Sequence, residues 1–369
     1  RELKADEFEF TLTDQVGNVE TAKNDANGKV KFKELTFDEA GTYTYTIKEV
    51  KGGTTENGIT YDSKTVTAKV TVTDDGHGKL TAVVDYSSDG TANSTIFTNT
   101  YNPAKVKAPV SATKSFINKN TNTPMPLKGG EFVFALLNHE GDPVEKTTND
   151  ADGNIKFKDL EFEKAGTYQY TIYEHKAGQI ENGITYSNKT VEVTIEVTDD
   201  GHGALKATVS YDNDERHFEN TYKAANAKAN LEVTKKLTGR ELKADEFEFT
   251  LTGQDGDVKE TVKNDKDGNV KFSELEFDKA GTYTYKIAEK AGTATGIQYD
   301  TKTITATVTV ADNGKGVLEA TVAYDGEKVF ENTYTPAGAT SVTLGAKKVL
   351  EGKDLEAGKY SFELKKEDG

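Results

Sequence analysis

Three kinds of polar residue recur where the pattern calls for core residues, and together they have the makings of an amide bond. Side chains alternate between the two faces of a strand, so residues two apart share a face. Read by that parity, Ala112, Lys114 and Phe116 share one face, as do Tyr168, Tyr170, Ile172 and Glu174, and then Phe218, Asn220 and Tyr222. The same sets return further along as Val233, Lys235 and Leu237, as Tyr283, Tyr285, Ile287 and Glu289, and as Phe330, Asn332 and Tyr334. An unpaired buried ammonium or carboxylate costs several kcal/mol, so a Lys, a Glu and an Asn on core faces are expected to meet one another. Desolvation there lowers the lysine pKa and raises the glutamate pKa, which favours a neutral amine beside a protonated acid. Such an amine can attack the Asn carboxamide carbon. The Glu is expected to hydrogen-bond the amide oxygen, polarise the carbonyl and shuttle protons to the departing ammonia. The product is an intramolecular Lys–Asn isopeptide bond; the alternative is a hydrogen-bonded buried ion pair in which no bond forms.

The elements that must position these groups are strands. Stretches such as TVTAKVTVT at 65 to 73 and TITATVTVA at 303 to 311 alternate β-branched and small residues with period two, and helical periodicity is missing. DANGK, DADGN, DKDGN and DDGHG separate the strands as turns, and seven to nine short strands per repeat are expected. The block FDEAGTY, repeated as FEKAGTY and FDKAGTY, sets Tyr43, Tyr168 and Tyr283 after a small-residue corner, like the tyrosine corner of immunoglobulin-like sandwiches.

These blocks recur in a fixed order with a period near 115 residues: GTYTYTIKE at 41, GTYQYTIYE at 166 and GTYTYKIAE at 281. RELKADEFEFTLT opens the sequence and returns at 240 to 252, after the strand LEVTKKL. Residues 1–103 therefore read as a repeat without its first strand, 104–223 and 224–335 as complete repeats, and 336–369 as the N-terminal strands of a fourth. The joints NPAKVKAP, KAANAKAN and TPAGATS are short, and Pro103, Pro109 and Pro336 stiffen two of them, which predicts an elongated, segmentally stiff array.

Composition narrows the function classes. In 369 residues, 46 Lys and Arg stand against 62 Asp and Glu, a net charge of -16, which argues against nucleic acid or an anionic membrane as a partner. There is no Cys, so disulfides, thiol catalysis and cysteinyl metal sites are excluded. The five His residues, 77, 139, 175, 202 and 217, form no ligand spacing, and DADGN and DKDGN lack the terminal Glu and flanking helices of a calcium loop. No metal site and no cofactor are expected. No apolar run is long enough to span a bilayer, and the natural termini are expected to lie outside this sequence.

The Lys, the Y-x-Y-x-I-x-E block and the F-x-N-T-Y block together resemble the isopeptide-linkage repeats of Gram-positive major pilins, related to Cna B-type adhesin-stalk domains. The resemblance implies an all-β fold of tandem immunoglobulin-like sandwiches, with bonds from Lys114 to Asn220 and from Lys235 to Asn332, assisted by Glu174 and Glu289. The neighbouring Lys236 faces the other way. The first repeat keeps Glu49 and Asn99 without an upstream Lys, and Lys348, beside Lys347, has no Asn downstream to meet. The resemblance further implies a stalk or pilin-like shaft on the bacterial cell surface, anchored to the wall, and not an enzyme beyond one self-catalysed turnover. Expected partners are neighbouring repeats, other pilin subunits joined by sortase, and a host-surface ligand at a tip outside this sequence. The competing functional reading is that the repeats themselves bind a host matrix protein or glycan; near-identity of the first and third copies speaks against it, since recognition loops diversify. An accessory region of a secreted hydrolase is a third reading, which predicts a catalytic domain outside this sequence.

Overall fold

The period-two stretches form the longest strands of a computed structural model that describes residues 1–88, 91–92 and 94–367. In Thr65–Asp74 the residues Val66, Ala68, Val70 and Val72 are buried while their neighbours face outward, and Thr190–Asp199 and Thr303–Asp312 repeat this alternation. Residues Arg1–Ala225 together with Asp312–Val317 make one compact unit, and Asn226–Ala311 with Leu318 onward make the other.

In the second repeat one sheet has the order Pro143–Thr148, Val133–Asn138, Gly166–Glu174, Thr190–Asp199, Leu205–Tyr211, all antiparallel. The other sheet is built on an opening strand, Ser111–Asn118, lying parallel to the closing strand, His217–Tyr222, with Lys114 opposite Phe218 and Phe116 opposite Asn220. A parallel pair cannot be joined by a hairpin, so all the intervening chain lies between these neighbours in sequence. The third repeat uses the same plan: Glu232–Thr238 runs parallel to Val329–Tyr334, and the antiparallel sheet is centred on Gly281–Glu289. The cores contain Phe134, Ile172, Ile195 and Phe218 in one case and Phe249, Ile287, Val308 and Phe330 in the other.

Strands are more numerous than the pattern predicts: the second repeat has thirteen and the third eleven. The excess is in ladders of two or three residues, too short to show a period. Some lie in the joints. Val106–Ala108 pairs with Leu160–Phe162, and Ala227–Ala229 with Leu275–Phe277, so two joints are ordered as strand edges. Tyr43, Tyr168 and Tyr283 donate their hydroxyls to the carbonyls of Glu39, Lys164 and Lys279, four residues upstream, at 3.0, 3.0 and 2.9 Å. That is the local bond of a tyrosine corner.

The first repeat differs in a connected way. Its antiparallel sheet is built around Gly41–Glu49, but among the described residues no strand stands where the opening strand of the other repeats does. Residues 29–31, whose counterparts Asn154–Lys156 and Asn269–Lys271 pair with an opening strand, keep only an isolated bridge from Val30 to Asn24. Its closing strand is reduced to Thr100–Tyr101. Each loss has the same cause, because a ladder needs a neighbour on the side where the opening strand would lie. Likewise no strand forms among residues 336–367, expected to hold the first strands of a fourth repeat; they have no closing strand to pair with, and a lone strand is not stable.

Candidate functional site

The Lys and the Asn come from adjacent parallel strands of one sheet, and the Glu comes from the facing sheet. In the second repeat Lys114 Nζ donates to Glu174 Oε2 at 3.1 Å, and Asn220 Nδ2 donates to Glu174 Oε1 at 2.6 Å. The Lys114 and Glu174 side chains are completely buried. In the third repeat Lys235 Nζ lies 2.7 Å from Glu289 Oε2, and Asn332 Nδ2 lies 2.6 Å from Glu289 Oε1, again with no exposure of the ion pair. One carboxylate thus holds the amine with one oxygen and the amide nitrogen with the other. Lys236 is exposed, one step out of phase.

The Asn side chains meet a partner that parity did not identify. The backbone N–H of Ser187 donates to Asn220 Oδ1 at 2.7 Å, and that of Asp300 to Asn332 Oδ1 at 2.7 Å. A backbone N–H can only face an acceptor, so it fixes the amide oxygen on its side and turns the nitrogen toward the Glu. This corrects the expectation that Glu binds the amide oxygen: a backbone N–H holds the oxygen, and the Glu carboxylate holds the amide nitrogen. The sequence signal for this donor was the recurrent G-I-x-Y block at 58, 183 and 296, whose next residue supplies the N–H.

Aromatic rings complete the enclosure. Lys114 Nζ lies 4.7 Å from the ring centre of Phe132 and 5.8 Å from that of Phe134; Lys235 Nζ lies 4.5 Å from Phe247. These phenylalanines exclude water while their ring faces attract the cation. Burial pulls Lys114 from its ordinary 10.5 down to about 8 against the opposing pull of Glu174, and it lowers Lys235 in the same way. Burial pushes Glu174 up, partly offset by Lys114 and by the hydrogen bond from Asn220. The two shifts bring the proton affinities of amine and acid together, so a proton can pass between them.

The first repeat has two of the three groups. Asn99 Nδ2 donates to Glu49 Oε1 at 2.6 Å and the Asp62 N–H to Asn99 Oδ1 at 2.7 Å, but the buried Glu49 Oε2 has no hydrogen-bond partner. Burial raises the Glu49 pKa. Lys348 and Lys347 are both exposed, and Lys348 Nζ stands 5.3 Å over the ring of Tyr360. A different set of buried polar residues, Asn24, Asn149 and Asn264, is structural: their side-chain oxygens accept from the N–H of Phe8, Phe132 and Phe247 at 2.7, 2.9 and 2.8 Å.

The family model described as FctA, Spy0128-like isopeptide containing domain, matches residues 1–102, 110–223 and 231–335. The chain belongs to this family. Serine-aspartate repeat-containing protein D of Staphylococcus aureus strain MW2 is 26% identical over 343 residues, covering 88% of this chain and 22% of its own length, and the strain MSSA476 protein of that name gives the same figures. The FctA-type chain therefore spans 22% of the length of the curated relatives it matches. Among solved structures, the T-13 major pilin of Streptococcus pyogenes is 20% identical, with 63% of this chain and 97% of the pilin covered and a TM-score of 0.26. The Bacillus anthracis TIE protein is 15% identical, with 88% of this chain and 49% of that one covered and a TM-score of 0.23. The three matched stretches correspond to the three repeats, each a domain of the FctA, Spy0128-like type.

Proposed function

We propose that the second and third FctA repeats each close a Lys–Asn isopeptide bond, Lys114 to Asn220 and Lys235 to Asn332, and that the tandem array is a load-bearing stalk on the outer surface of a Gram-positive cell. The observation that carries this reading is that one fully buried carboxylate touches both the amine and the amide nitrogen, in two repeats independently. Lys114 Nζ attacks Asn220 Cγ after passing a proton to Glu174 Oε2. The Ser187 N–H stabilises the developing oxyanion, as backbone donors do in acyl transfer. Glu174 then gives that proton to Nδ2, the Cγ–Nδ2 bond breaks and ammonia leaves, and Glu174 takes the second proton from Nζ, so that a neutral amide and a neutral carboxylic acid remain. Lys235, Glu289, Asn332 and the Asp300 N–H do the same in the third repeat. A hydrogen-bonded ion pair without a bond would leave two charged groups at full desolvation cost; the condensation removes both charges.

The mechanical use follows from the connectivity. Tension that enters at the opening strand and leaves at the closing strand passes through the bond, so the 105 residues between Lys114 and Asn220 carry none of it. By analogy with a disulfide closing a loop of that size, the link adds about 4–5 kcal/mol through the unfolded state. Attachment to the cell wall and joining to further subunits by sortase belong to this same reading. The test is the intact mass of the purified chain. The wild-type chain is expected to fall short of its sequence mass by two ammonia molecules, and Glu174→Ala and Glu289→Ala by one each. A full sequence mass in the folded wild-type protein would refute the bond.

A further inference from the structure

The residue whose N–H holds the Asn amide oxygen differs between repeats. After the G-I-x-Y block it is Asp62, Ser187 and Asp300 in turn. In the third repeat the Asp300 N–H donates to Asn332 Oδ1 at 2.7 Å, and the Asp300 carboxylate binds the same strand a second time. Its Oδ2 accepts the N–H of Glu331, the residue before Asn332, at 2.9 Å, while its Oδ1 accepts the N–H of Lys302 at 3.0 Å. The first repeat makes the same three bonds. There the Asp62 N–H meets Asn99 Oδ1 at 2.7 Å, the Thr98 N–H meets Asp62 Oδ2 at 2.8 Å, and the Lys64 N–H meets Asp62 Oδ1 at 2.9 Å.

The ladder explains why a carboxylate fits here. Ile297–Gln298 pairs with Tyr334 and Thr333 of the closing strand and goes no further. N–H groups on one side of a strand recur at every second residue. The Thr335 N–H bonds the Gly296 carbonyl at 2.8 Å, so the N–H groups of Thr333 and Glu331 face that side too. At Glu331 the ladder has ended, and the Asp300 side chain takes the bond. One residue therefore grips the closing strand twice, at the Asn332 amide and at the peptide N–H just before it. Ser187 grips once. Its N–H holds Asn220 Oδ1 at 2.7 Å, but its single side-chain oxygen accepts from the Lys189 N–H at 3.3 Å.

We propose that the Asp300 side chain is a positioning residue for the condensation in the third repeat: by holding the closing strand at Glu331 it keeps the Asp300 N–H on the Asn332 oxygen as that oxygen takes up charge. This rests on the isopeptide reading given above. When Lys235 Nζ attacks, Asn332 Cγ becomes tetrahedral and its oxygen moves. A donor tied to the strand at two points keeps its aim through that change, and a donor that must first be reoriented costs rate. The second repeat does without the second tie, so its closure is open to improvement at position 187.

The experiment takes the full chain recovered unfolded from inclusion bodies, transfers it to native buffer and follows intact mass with time. Peptide mapping assigns each ammonia loss to its repeat. In Asp300→Ala the third repeat should close about tenfold more slowly, as for a displaced oxyanion donor, while the second keeps its wild-type rate in the same molecule. Asp300→Asn retains an oxygen for the Glu331 N–H and should recover most of the rate. Ser187→Asp should speed the second repeat several-fold, a gain that damage to the fold cannot produce, and it decides the question alone if Asp300→Ala does not fold. Wild-type closure of the third repeat in Asp300→Ala, or a second repeat no faster in Ser187→Asp, would overturn the proposal. Asp300 would then be no more than the ion-pair partner of Lys302, 3.4 Å away, with both bonds still standing. Equal slowing in the Ala and Asn variants would overturn it as well, because the charge and not the grip would then matter. Absence of ammonia loss from both repeats of the folded wild-type chain would instead remove the isopeptide reading itself.

Discussion

At a single site, the chemistry turns on one proton. In the proposed condensation the pair Lys114 and Glu174 is reactive when it holds one proton between them, since the amine must be neutral to attack and the acid must have a proton to give the leaving nitrogen. With two protons the amine is an ammonium and inert; with none, nothing protonates the departing ammonia. Burial places the upper boundary near the lowered Lys114 pKa of about 8, and it lifts the lower boundary above the ordinary carboxylate range. The initial rate of ammonia loss on refolding an Asn332→Ala chain, which reports only the second repeat, is therefore expected to be bell-shaped, with its alkaline limb close to pH 8. A rate still climbing at pH 10 would mean that Glu174 acts only as a base. Parity exposed the Lys, Glu and Asn because each is a polar residue in an apolar row. It could not expose the Ser187 and Asp300 N–H groups, since every residue carries a backbone donor; only their place after the recurrent G-I-x-Y block marks them in the sequence.

At the scale of the strand, the opening element is held by its backbone as much as by its lysine. Lys114 N–H donates to the carbonyl of Gly153, and Lys235 N–H to that of Gly268, both at 2.7 Å. Both glycines have positive φ, 81° and 85°, and an added Cβ would lie 2.3 and 2.2 Å from the carbonyl oxygens of Lys114 and Lys235. A Gly153→Ala change is thus expected to push the opening strand outward as well as strain the turn, at a cost of about 1–3 kcal/mol for the backbone alone. In an intact-mass time course, ammonia loss from the second repeat should slow markedly while the third repeat proceeds normally in the same molecule. Equal rates in both would show that this close approach does not position Lys114. The turn was legible as D-x-D-G-N, but the identity of the strand it touches was not, because that contact joins residues about forty apart in sequence. Long strands were legible for the opposite reason: ten alternating residues such as Thr190–Asp199 carry their own period, whereas two-residue ladders such as Ile184–Thr185 exist only through their neighbours.

For the whole chain, the connectivity of the complete repeats decides what tension does to them. The second and third have Lys and Asn on adjacent parallel strands, so a bond between these residues shunts the load at the point where it enters. Pulled through its second and third repeats, a fully cross-linked chain should show no unfolding event that releases the residues between Lys114 and Asn220 or between Lys235 and Asn332. An Asn220→Ala chain should regain one event, because the 105 residues freed between Lys114 and position 220 extend by about 35 nm at roughly 3.4 Å each. Single-molecule force spectroscopy reads that contour length directly, and an event of this size in the cross-linked protein would mean that the load path does not run through the bond.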